Sequence, residues 1–362
     1  MSLAAYVHFP WCVRKCPYCD FNSHPLTGSL DEHTYVEALL TDLAHQRSSL
    51  PDRAISTVFY GGGTPSLFGA AAFERLNRAL ACAGEITMEA NPGTTEHADF
   101  AAYRDTGVNR LSIGAQSFDD KALAKLGRIH AASDTETAFR AARTGGFDNI
   151  NVDVMYALPG QRVEGALADL TTAIALAPEH ISWYQLTIEP KTAFHQNPPT
   201  LPDDDLVADM ETAGHALLRA HGFERYEVSA WAKPGRQCQH NLNYWRFGDY
   251  LGVGAGAHGK QGYTRTQKAK APSRYLADPQ ALAERSLEPG ERPFECLMNA
   301  LRLPDGISWS HFEEVTGCVG YSRENAWLGA LASGLVREDR AATTELGYQH
   351  LDTVLSRLLP SG

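Results

Sequence analysis

The 362-residue sequence has no apolar run long enough to span a bilayer and no regular framework of cysteine pairs. Its seven cysteines are an odd number, and four of them are scattered: Cys82, Cys238, Cys296 and Cys318. We therefore expect no structural disulfides and a reducing compartment. The first residues, MSLAAYVHF, lack the basic segment of a secretory signal, so we expect a cytoplasmic protein.

An excess of positive charge is also missing. The chain has 32 Lys and Arg against 43 Asp and Glu, a formal net charge of −11. Binding to phosphate backbones needs a basic face, so this balance argues against nucleic acid as the main partner. No low-complexity tract or solenoid period is visible, which excludes a repeat protein.

What the sequence does have is three cysteines within eight residues: Cys12, Cys16 and Cys19 in HFPWCVRKCPYCDFNSH. The C-x3-C-x2-C spacing is too tight for easy mutual disulfides, but it lets three thiolates converge on one soft metal centre. Three thiolates on a four-iron cluster leave one iron open to another ligand. The alternative is a zinc site completed by His8 or His24.

Short β-branched or aromatic runs alternate with helical-period segments through the first half of the chain. The expected strands are AAYVHF (4–9), ISTVFY (55–60), EITMEA (85–90), VNRLSIG (108–114), INVDVMY (150–156) and ISWYQLTI (181–188). An amphipathic helix capped by Asp31 follows the first strand. This βα rhythm predicts parallel strands with right-handed crossovers. Six strands favour a partial (β/α)6 barrel, with a doubly wound sheet as the alternative.

The rhythm breaks at PKTAFHQNPPTLPDDD, which suggests three parts. Residues 1–200 are predicted to form the partial barrel. Residues 201–291 would extend it with a helix near 203–221, a strand-like FERYEVSAWA and the motif HNLNYW. Residues 292–362 resemble a mostly helical, winged-helix-like module without a basic recognition helix, which is more typical of a protein-binding or lid module than of a DNA reader.

Unusual polar residues and glycines recur where the predicted strands end, the edge at which parallel barrels carry their sites. They are Gly61, Gly62, Gly63, Thr64, Glu89, Gln116 and Asp153, with Arg128 shortly after the fourth strand. The glycines allow close backbone approach by a ligand, and the arginine can clamp a carboxylate. Each alone has a plainer interpretation as a tight turn, a cap or a surface charge.

HNLNYW (240–245) combines an imidazole with flat aromatic side chains. His240 can supply an axial nitrogen to an iron, and Tyr244 and Trp245 can stack against a macrocycle. Cys238 and His258 are further ligand candidates. The alternative is a structural corner of packed aromatics and Asn turns.

The cysteine triplet and GGGTPS resemble the motifs of the radical S-adenosylmethionine (SAM) superfamily. YVHFPWC, MEANPGT, NRLSIGAQSF, LGRIH and NVDVMYALPGQ are similar to its coproporphyrinogen dehydrogenase-like branch. The resemblance implies a [4Fe-4S] cluster on Cys12, Cys16 and Cys19, with SAM chelating the open iron. It also implies that Arg128 faces the SAM carboxylate, that Glu89, Gln116 and Asp153 contact its amino acid or ribose, and that Tyr6 lies against the cofactor.

Within that branch, two features resemble the haem chaperone subgroup. Dehydrogenases of the branch carry a cysteine where this chain has Phe21, and the subgroup shares CDFNS and HNLNYW. The resemblance implies haem as bound cargo, haem-accepting respiratory proteins as recipients and an electron donor for the cluster. It leaves open a homodimer and a peripheral contact with the inner membrane. The alternative function is the oxidative decarboxylation of coproporphyrinogen III to protoporphyrinogen IX.

The triplet yields a first prediction. Anaerobic reconstitution should give about four irons and four sulfides per chain. Replacing Cys12, Cys16 or Cys19 by Ala should abolish the cluster, whereas Cys82→Ala, Cys296→Ala and Cys318→Ala should leave it intact, as measured by iron and sulfide content. Stoichiometric zinc in protein from oxygen-free, iron-replete cells would contradict the cluster assignment.

Overall fold

A computed structural model of the chain describes residues 3–50, 52–93 and 100–359. The strands are β1 (Leu3–Phe9), β2 (Trp11–Cys12), β3 (His24–Pro25), β4 (Ile55–Gly62), β5 (Glu85–Ala90), β6 (Arg110–Gln116), β7 (Ile150–Tyr156), β8 (His180–Gln185), β9 (Glu224–Glu227), β10 (Ala230–Ala232), β11 (Asp249–Val253), β12 (His258–Gln261), β13 (Thr264–Gln267), β14 (Ala283–Ser286), β15 (Ile307–Ser308) and β16 (Arg340–Ala341). The α-helices are α1 (Glu32–Ser48), α2 (Ala70–Leu80), α3 (Phe100–Asp105), α4 (Asp120–Lys125), α5 (Ala132–Thr144), α6 (Val163–Ala175), α7 (Ala193–Gln196), α8 (Asp204–Ala220), α9 (Gln239–Trp245), α10 (Pro272–Ala277), α11 (Arg292–Ala300), α12 (Trp309–Thr316), α13 (Asn325–Ala332), α14 (Glu345–Gln349) and α15 (Leu351–Leu358).

The six predicted strands form the centre of one large sheet in chain order, β1-β4-β5-β6-β7-β8, and each neighbouring pair is parallel. Helices lie between successive strands, as the βα rhythm predicted. In the described residues the outermost strands of this sheet, β14 and β9, are not paired with each other, so the sheet stays open. The α/β fold class is confirmed.

Two features of the sheet were not expected. β11 is a seventh parallel strand on the free edge of β1, and β12 to β14 continue from it as antiparallel strands. FERYEVSAWA forms two strands, β9 and β10, that pair antiparallel beside β8. Gly252 allows the turn from β11 to β12 to close, because a Cβ there would lie 2.0 Å from the His258 carbonyl oxygen.

Local sequence accounts for the predicted first helix. The Asp31 side chain accepts a hydrogen bond from the Thr34 backbone N–H, the capping contact that its position suggested. Tyr35, Leu39 and Leu43 lie on its buried face. The segment HADFAAYRDTG has a helical pattern, and its first three residues lie outside the described part of the chain; within that part, α3 spans Phe100–Asp105.

Residues after Arg292 build a second hydrophobic core around Leu297, Phe312 and Trp327. Helices α11 to α15 surround it, and β15 and β16 form a small antiparallel pair. The boundaries at 200/201 and 291/292 stay predictions. Across the described ranges, no helix combines the length and apolar character needed to cross a membrane.

A fully buried ion pair fastens helix α1 to the segment after β13. Lys268 Nζ lies 2.6 Å from Asp42 Oδ1, and neither side chain is exposed. The second carboxylate oxygen accepts hydrogen bonds from the Tyr275 hydroxyl (3.0 Å) and the Gly254 N–H (3.1 Å). The desolvated carboxylate therefore depends on a complete set of partners.

We expect Lys268→Met to lower the free energy of unfolding by about 3 to 5 kcal/mol, because it leaves a buried carboxylate without its counter-charge. Urea denaturation would measure the loss. The matched control is Arg75→Met, which removes the exposed pair between Arg75 of α2 and Glu37 of α1 and should cost at most about 1 kcal/mol. Equally small losses of unfolding free energy in both variants would show that the buried ion pair does not stabilise the contact between α1 and the segment after β13.

Candidate functional site

The three cysteines lie on a short loop, residues 10–25, that closes on itself directly after β1; we call it the cysteine loop. Its two ends pair as β2 and β3, with Trp11 opposite His24. Inside it the Cys19 N–H donates to the Cys16 carbonyl at 3.1 Å. All three thiols are half-buried and line one cavity.

The environment of these thiols suits a bound cluster. Burial raises the pKa of Cys12 and of Cys19, partly offset by hydrogen bonds from Thr64 and Ser23. The protein alone therefore does not ionise them, and a bound metal cluster would supply the charge that keeps them as thiolates. Three sulfurs with a free side toward a cavity fit a [4Fe-4S] cluster with one open iron.

The zinc alternative would have to use His24 and not His8. His8 Nε2 donates to the Asn22 carbonyl and His8 Nδ1 lies 2.9 Å from the Tyr6 hydroxyl, so both ring nitrogens are engaged. His24 is then the loop histidine left to complete a tetrahedron. In the described part of the chain, no group of three or more His, Cys, Asp or Glu side chains, the three cysteines included, is placed to hold a single metal ion, so the cluster and the zinc assignments both stay predictions.

The cavity that the cysteines line has a volume of about 490 Å³ and lies at the carboxyl ends of the parallel strands. We call it the first cavity. Most of the predicted site residues meet there: Cys12, Cys16, Cys19, Gly62, Gly63, Thr64, Glu89, Gln116, Arg128 and Asp153. Gly61, Tyr6 and His240 do not line it. The signal in the sequence that predicted this cavity was the recurrence of polar residues and glycines at strand ends, and no single one of these residues was sufficient.

The glycine run holds the end of β4 against the cysteine loop. Gly62 has φ +115°, and a Cβ there would lie 2.4 Å from the His8 ring. A Cβ on Gly63 would lie 2.4 Å from the Trp11 carbonyl oxygen. The Gly63 N–H donates to the Phe9 carbonyl at 2.6 Å. These glycines thus allow the backbone at the end of β4 to pack closely against the backbone of β1 and of the cysteine loop. This packing sets the position of the cysteines.

Arg128 connects the cysteine loop to the cavity wall. Its Nη2 donates to Asn91 Oδ1 (2.8 Å) and the Gly114 carbonyl (2.9 Å), and its Nη1 lies 3.7 Å from Cys16 Sγ. Its buried Nε has no hydrogen-bond partner among the described residues. Asn91 also donates to Thr64 Oγ1, so it fixes the guanidinium relative to the glycine loop. The guanidinium is thereby held in the cavity wall beside Cys16, and its pairing with a carboxylate stays a prediction.

Glu89 and Asp153 make the cavity acidic. Burial and repulsion from Asp153 raise the pKa of Glu89 to about 8, although the Gly62 N–H donates to it at 3.0 Å. Burial likewise raises the pKa of Asp153, against hydrogen bonds from Asn151 and Ser112. Two buried carboxyl groups facing one cavity favour a cationic ligand, such as an ammonium or sulfonium.

Gln116 closes the far wall in a strained conformation. Its φ is +67° at an irregularity in the pairing of β6 with β7, and its side chain accepts a hydrogen bond from Tyr184 at 2.6 Å. A positive φ at a buried non-glycine residue is costly and is typical of functional sites.

Sequence reasoning missed the inner lining of the first cavity. Arg110, Ser112 and Asn151 line it together with residues already named. The available signal was the polar residue at every second position of NRLSIGAQ and INVDV, since alternate side chains of a strand face the same way.

A second cavity of about 550 Å³ adjoins the first. Tyr6, Tyr244, Trp245 and His258 line it, and Glu89 belongs to the walls of both cavities. Tyr6 therefore faces the second cavity and not the first. The aromatic residues of HNLNYW reach this cavity from helix α9.

His240 itself is buried behind that wall. Its Nδ1 lies 3.1 Å from Thr57 Oγ1 and its Nε2 lies 2.9 Å from the Tyr244 hydroxyl. Burial and the charge of Arg110 lower its pKa to about 3. The Cys238 thiol is also buried and donates to Glu85 at 3.3 Å. In this conformation neither side chain has an open position for an iron, so ligation by His240 stays a prediction that requires α9 to move.

Comparison with known proteins extends these observations. The model of the radical SAM superfamily matches residues 6–170. The chain is 45% identical to the haem chaperone HemW of Escherichia coli over 99% of its length and 98% of that relative. It is 44% identical to HemW of Haemophilus influenzae with the same coverage. It is also 35% identical to the mouse mitochondrial radical S-adenosyl methionine domain-containing protein 1, over 99% of this chain and 87% of that protein.

Among solved structures, coproporphyrinogen III oxidase (HemN) from Escherichia coli, described as a radical SAM enzyme, superposes with a TM-score of 0.84. The match covers 98% of this chain and 89% of that one at 22% identity, so it shows a shared fold. The sequence identities of 45% and 44% to the two HemW proteins show family membership in addition to a shared fold. The chain belongs to the radical SAM superfamily and, within it, to the haem chaperone HemW family.

Proposed function

We propose that this protein is a haem chaperone that binds haem and delivers it to haem proteins of respiration, while retaining a [4Fe-4S]/SAM site. The observation that carries the proposal is the 45% identity along 99% of the chain, which includes the region after residue 170 that contributes helix α9 and most of the lining of the second cavity. Delivery to respiratory proteins would place it in the cytoplasm, with peripheral contact at the inner membrane.

The first cavity would serve the retained site. Cys12, Cys16 and Cys19 would hold the cluster, which when bound supplies an electron for cleaving the carbon–sulfur bond of SAM. Arg128 would hold the SAM carboxylate, and Glu89 would face its positively charged groups. Gln116 and Asp153 would fix the remaining polar groups and leave little room for water.

A second candidate function is coproporphyrinogen III dehydrogenation. The fold similarity to HemN and the complete lining of the first cavity favour it. Against it stands Phe21, which is 59% exposed where dehydrogenases of the branch carry a cysteine. Phe21 lines both cavities, so it occupies the position at which the two functions would diverge.

One experiment separates the two functions. The reduced, reconstituted protein is incubated with coproporphyrinogen III and SAM, with the Escherichia coli oxidase as positive control, and is titrated with haem in parallel. We expect one haem per chain and no protoporphyrinogen IX. Turnover comparable to the control, without stoichiometric haem binding, would make the chain a dehydrogenase.

Arg128→Ala should weaken SAM binding by about 1.5 to 3 kcal/mol, the usual range for a hydrogen bond to a charged group, without loss of iron. Equilibrium binding of SAM to the reconstituted variant measures this. Arg128→Lys should recover only part of the affinity, because an ammonium cannot pair bidentately. Arg162→Ala, an exposed arginine on the surface, is the control. Unchanged affinity in an iron-replete Arg128→Ala protein would remove the assigned role.

A further inference from the structure

We propose that haem occupies the second cavity with His258 as its axial ligand, its macrocycle against Tyr244 and Trp245, and its propionates at Lys270 and Arg265. This inference rests on the proposed haem-chaperone function and names the site and the contacts that would perform it.

The first argument is the availability of an imidazole. His8 and His258 are the two histidines among the described residues that line this cavity. Both nitrogens of His8 are already engaged by Tyr6 and Asn22. His258, at the start of β12, is exposed, and its side chain makes no hydrogen bond to another described residue, although its backbone pairs with Gln267 of β13. A neutral imidazole with a free nitrogen is the form that binds haem iron.

The electrostatic surroundings of His258 also favour its role as the axial ligand of haem. Partial desolvation of the ring, followed by the charges of Lys270 and Arg265, lowers the pKa of His258 and so favours the neutral imidazole. The same effect shows that both cations lie close enough to be felt at the ring. The second cavity is therefore lined by His258, as the candidate iron ligand, and by Lys270 and Arg265, two cations that can pair with the haem propionates.

The second argument is the shape and chemistry of the walls. Tyr244 and Tyr250 meet edge to face with centroids 4.5 Å apart, and Trp245 follows at 6.5 Å from Tyr244. The rings are tilted by 85° and 61° to each other, so one of them can stack on a flat macrocycle while the others meet its edge, and about 550 Å³ lies in the range of small-molecule sites. His240 holds the Tyr244 hydroxyl at 2.9 Å, so it positions this wall from behind.

The third argument is the supply of positive charge. Lys270 is exposed, and its side chain makes no hydrogen bond or ion pair within the described residues. Arg265 is partly committed, since it pairs with Glu295 and donates to the Tyr250 hydroxyl at 3.3 Å. Lys260 is fully committed to Asp249 and the Phe247 carbonyl. Lys270 is therefore the cation best placed to gain a propionate partner.

The axial ligand is tested by titrating haem into reconstituted wild-type, His258→Ala and His240→Ala proteins, read by absorption and magnetic circular dichroism. We expect His258→Ala to lose the histidine-ligated spectrum and to bind at least about tenfold more weakly. His240→Ala should bind more weakly through the loosened Tyr244 but keep the wild-type spectral type. His33→Ala, an exposed histidine on α1, is the matched control and should change nothing.

The propionate contact is tested with Lys270→Gln. Its affinity for haem should fall about two- to fivefold, the range for an exposed ion pair, while its affinity for haem dimethyl ester should equal that of the wild type. Equal losses with both ligands would overturn the propionate assignment.

The outcomes separate the inference from the function on which it rests. If the wild-type protein binds haem and the His258→Ala spectrum is unchanged, the ligand assignment is wrong and the chaperone function stands. If the spectrum changes in His240→Ala instead, helix α9 opens and His240 is the ligand. If the wild-type protein takes up no haem, the proposed function itself fails.

Discussion

The packing of the end of β1, and of the cysteine loop that follows it, against the neighbouring strands β4 and β11 is the constraint on which both cavities depend. On one side the Gly63 N–H bonds to the Phe9 carbonyl, and Gly62 lies against the His8 ring. On the other side a Cβ at Gly254 would lie 2.5 Å from the His8 carbonyl oxygen. Asn22 donates from the loop to the Ala255 and Lys270 carbonyls, each at 2.9 Å. Because the loop is fixed on both sides, its three cysteines line the first cavity and its residues 20–22 line the second cavity.

The two cavities are consequently physical neighbours and not independent sites. Asp20, Phe21 and Glu89 contribute to both walls. Glu89 is the chemically important one, because its pKa of about 8 leaves it largely protonated near neutrality in the absence of a ligand. A cation bound beside it would favour the carboxylate and change the charge of the shared wall.

Much of this arrangement could be predicted from the sequence because the strands and the candidate site residues follow local patterns in the chain. The six strands have short β-branched runs, the cysteines have a spacing with few uses, and Glu89, Gln116 and Asp153 stand at strand ends. What could not be predicted depends on contacts between distant segments. The pairing of β11 with β1 joins residues more than 200 positions apart. The burial of His240 depends on Thr57 and Tyr244, and no local pattern distinguishes a satisfied histidine from a free one.

The central claim is that SAM and haem have separate, adjoining cavities. The most direct measurement is equilibrium dialysis of labelled SAM against the anaerobically reconstituted protein, with and without saturating haem, counting both ligands in the same sample. The account predicts one SAM and one haem bound to the same chain at once. Stoichiometric displacement of SAM by haem would show that the two ligands share one cavity and would contradict it.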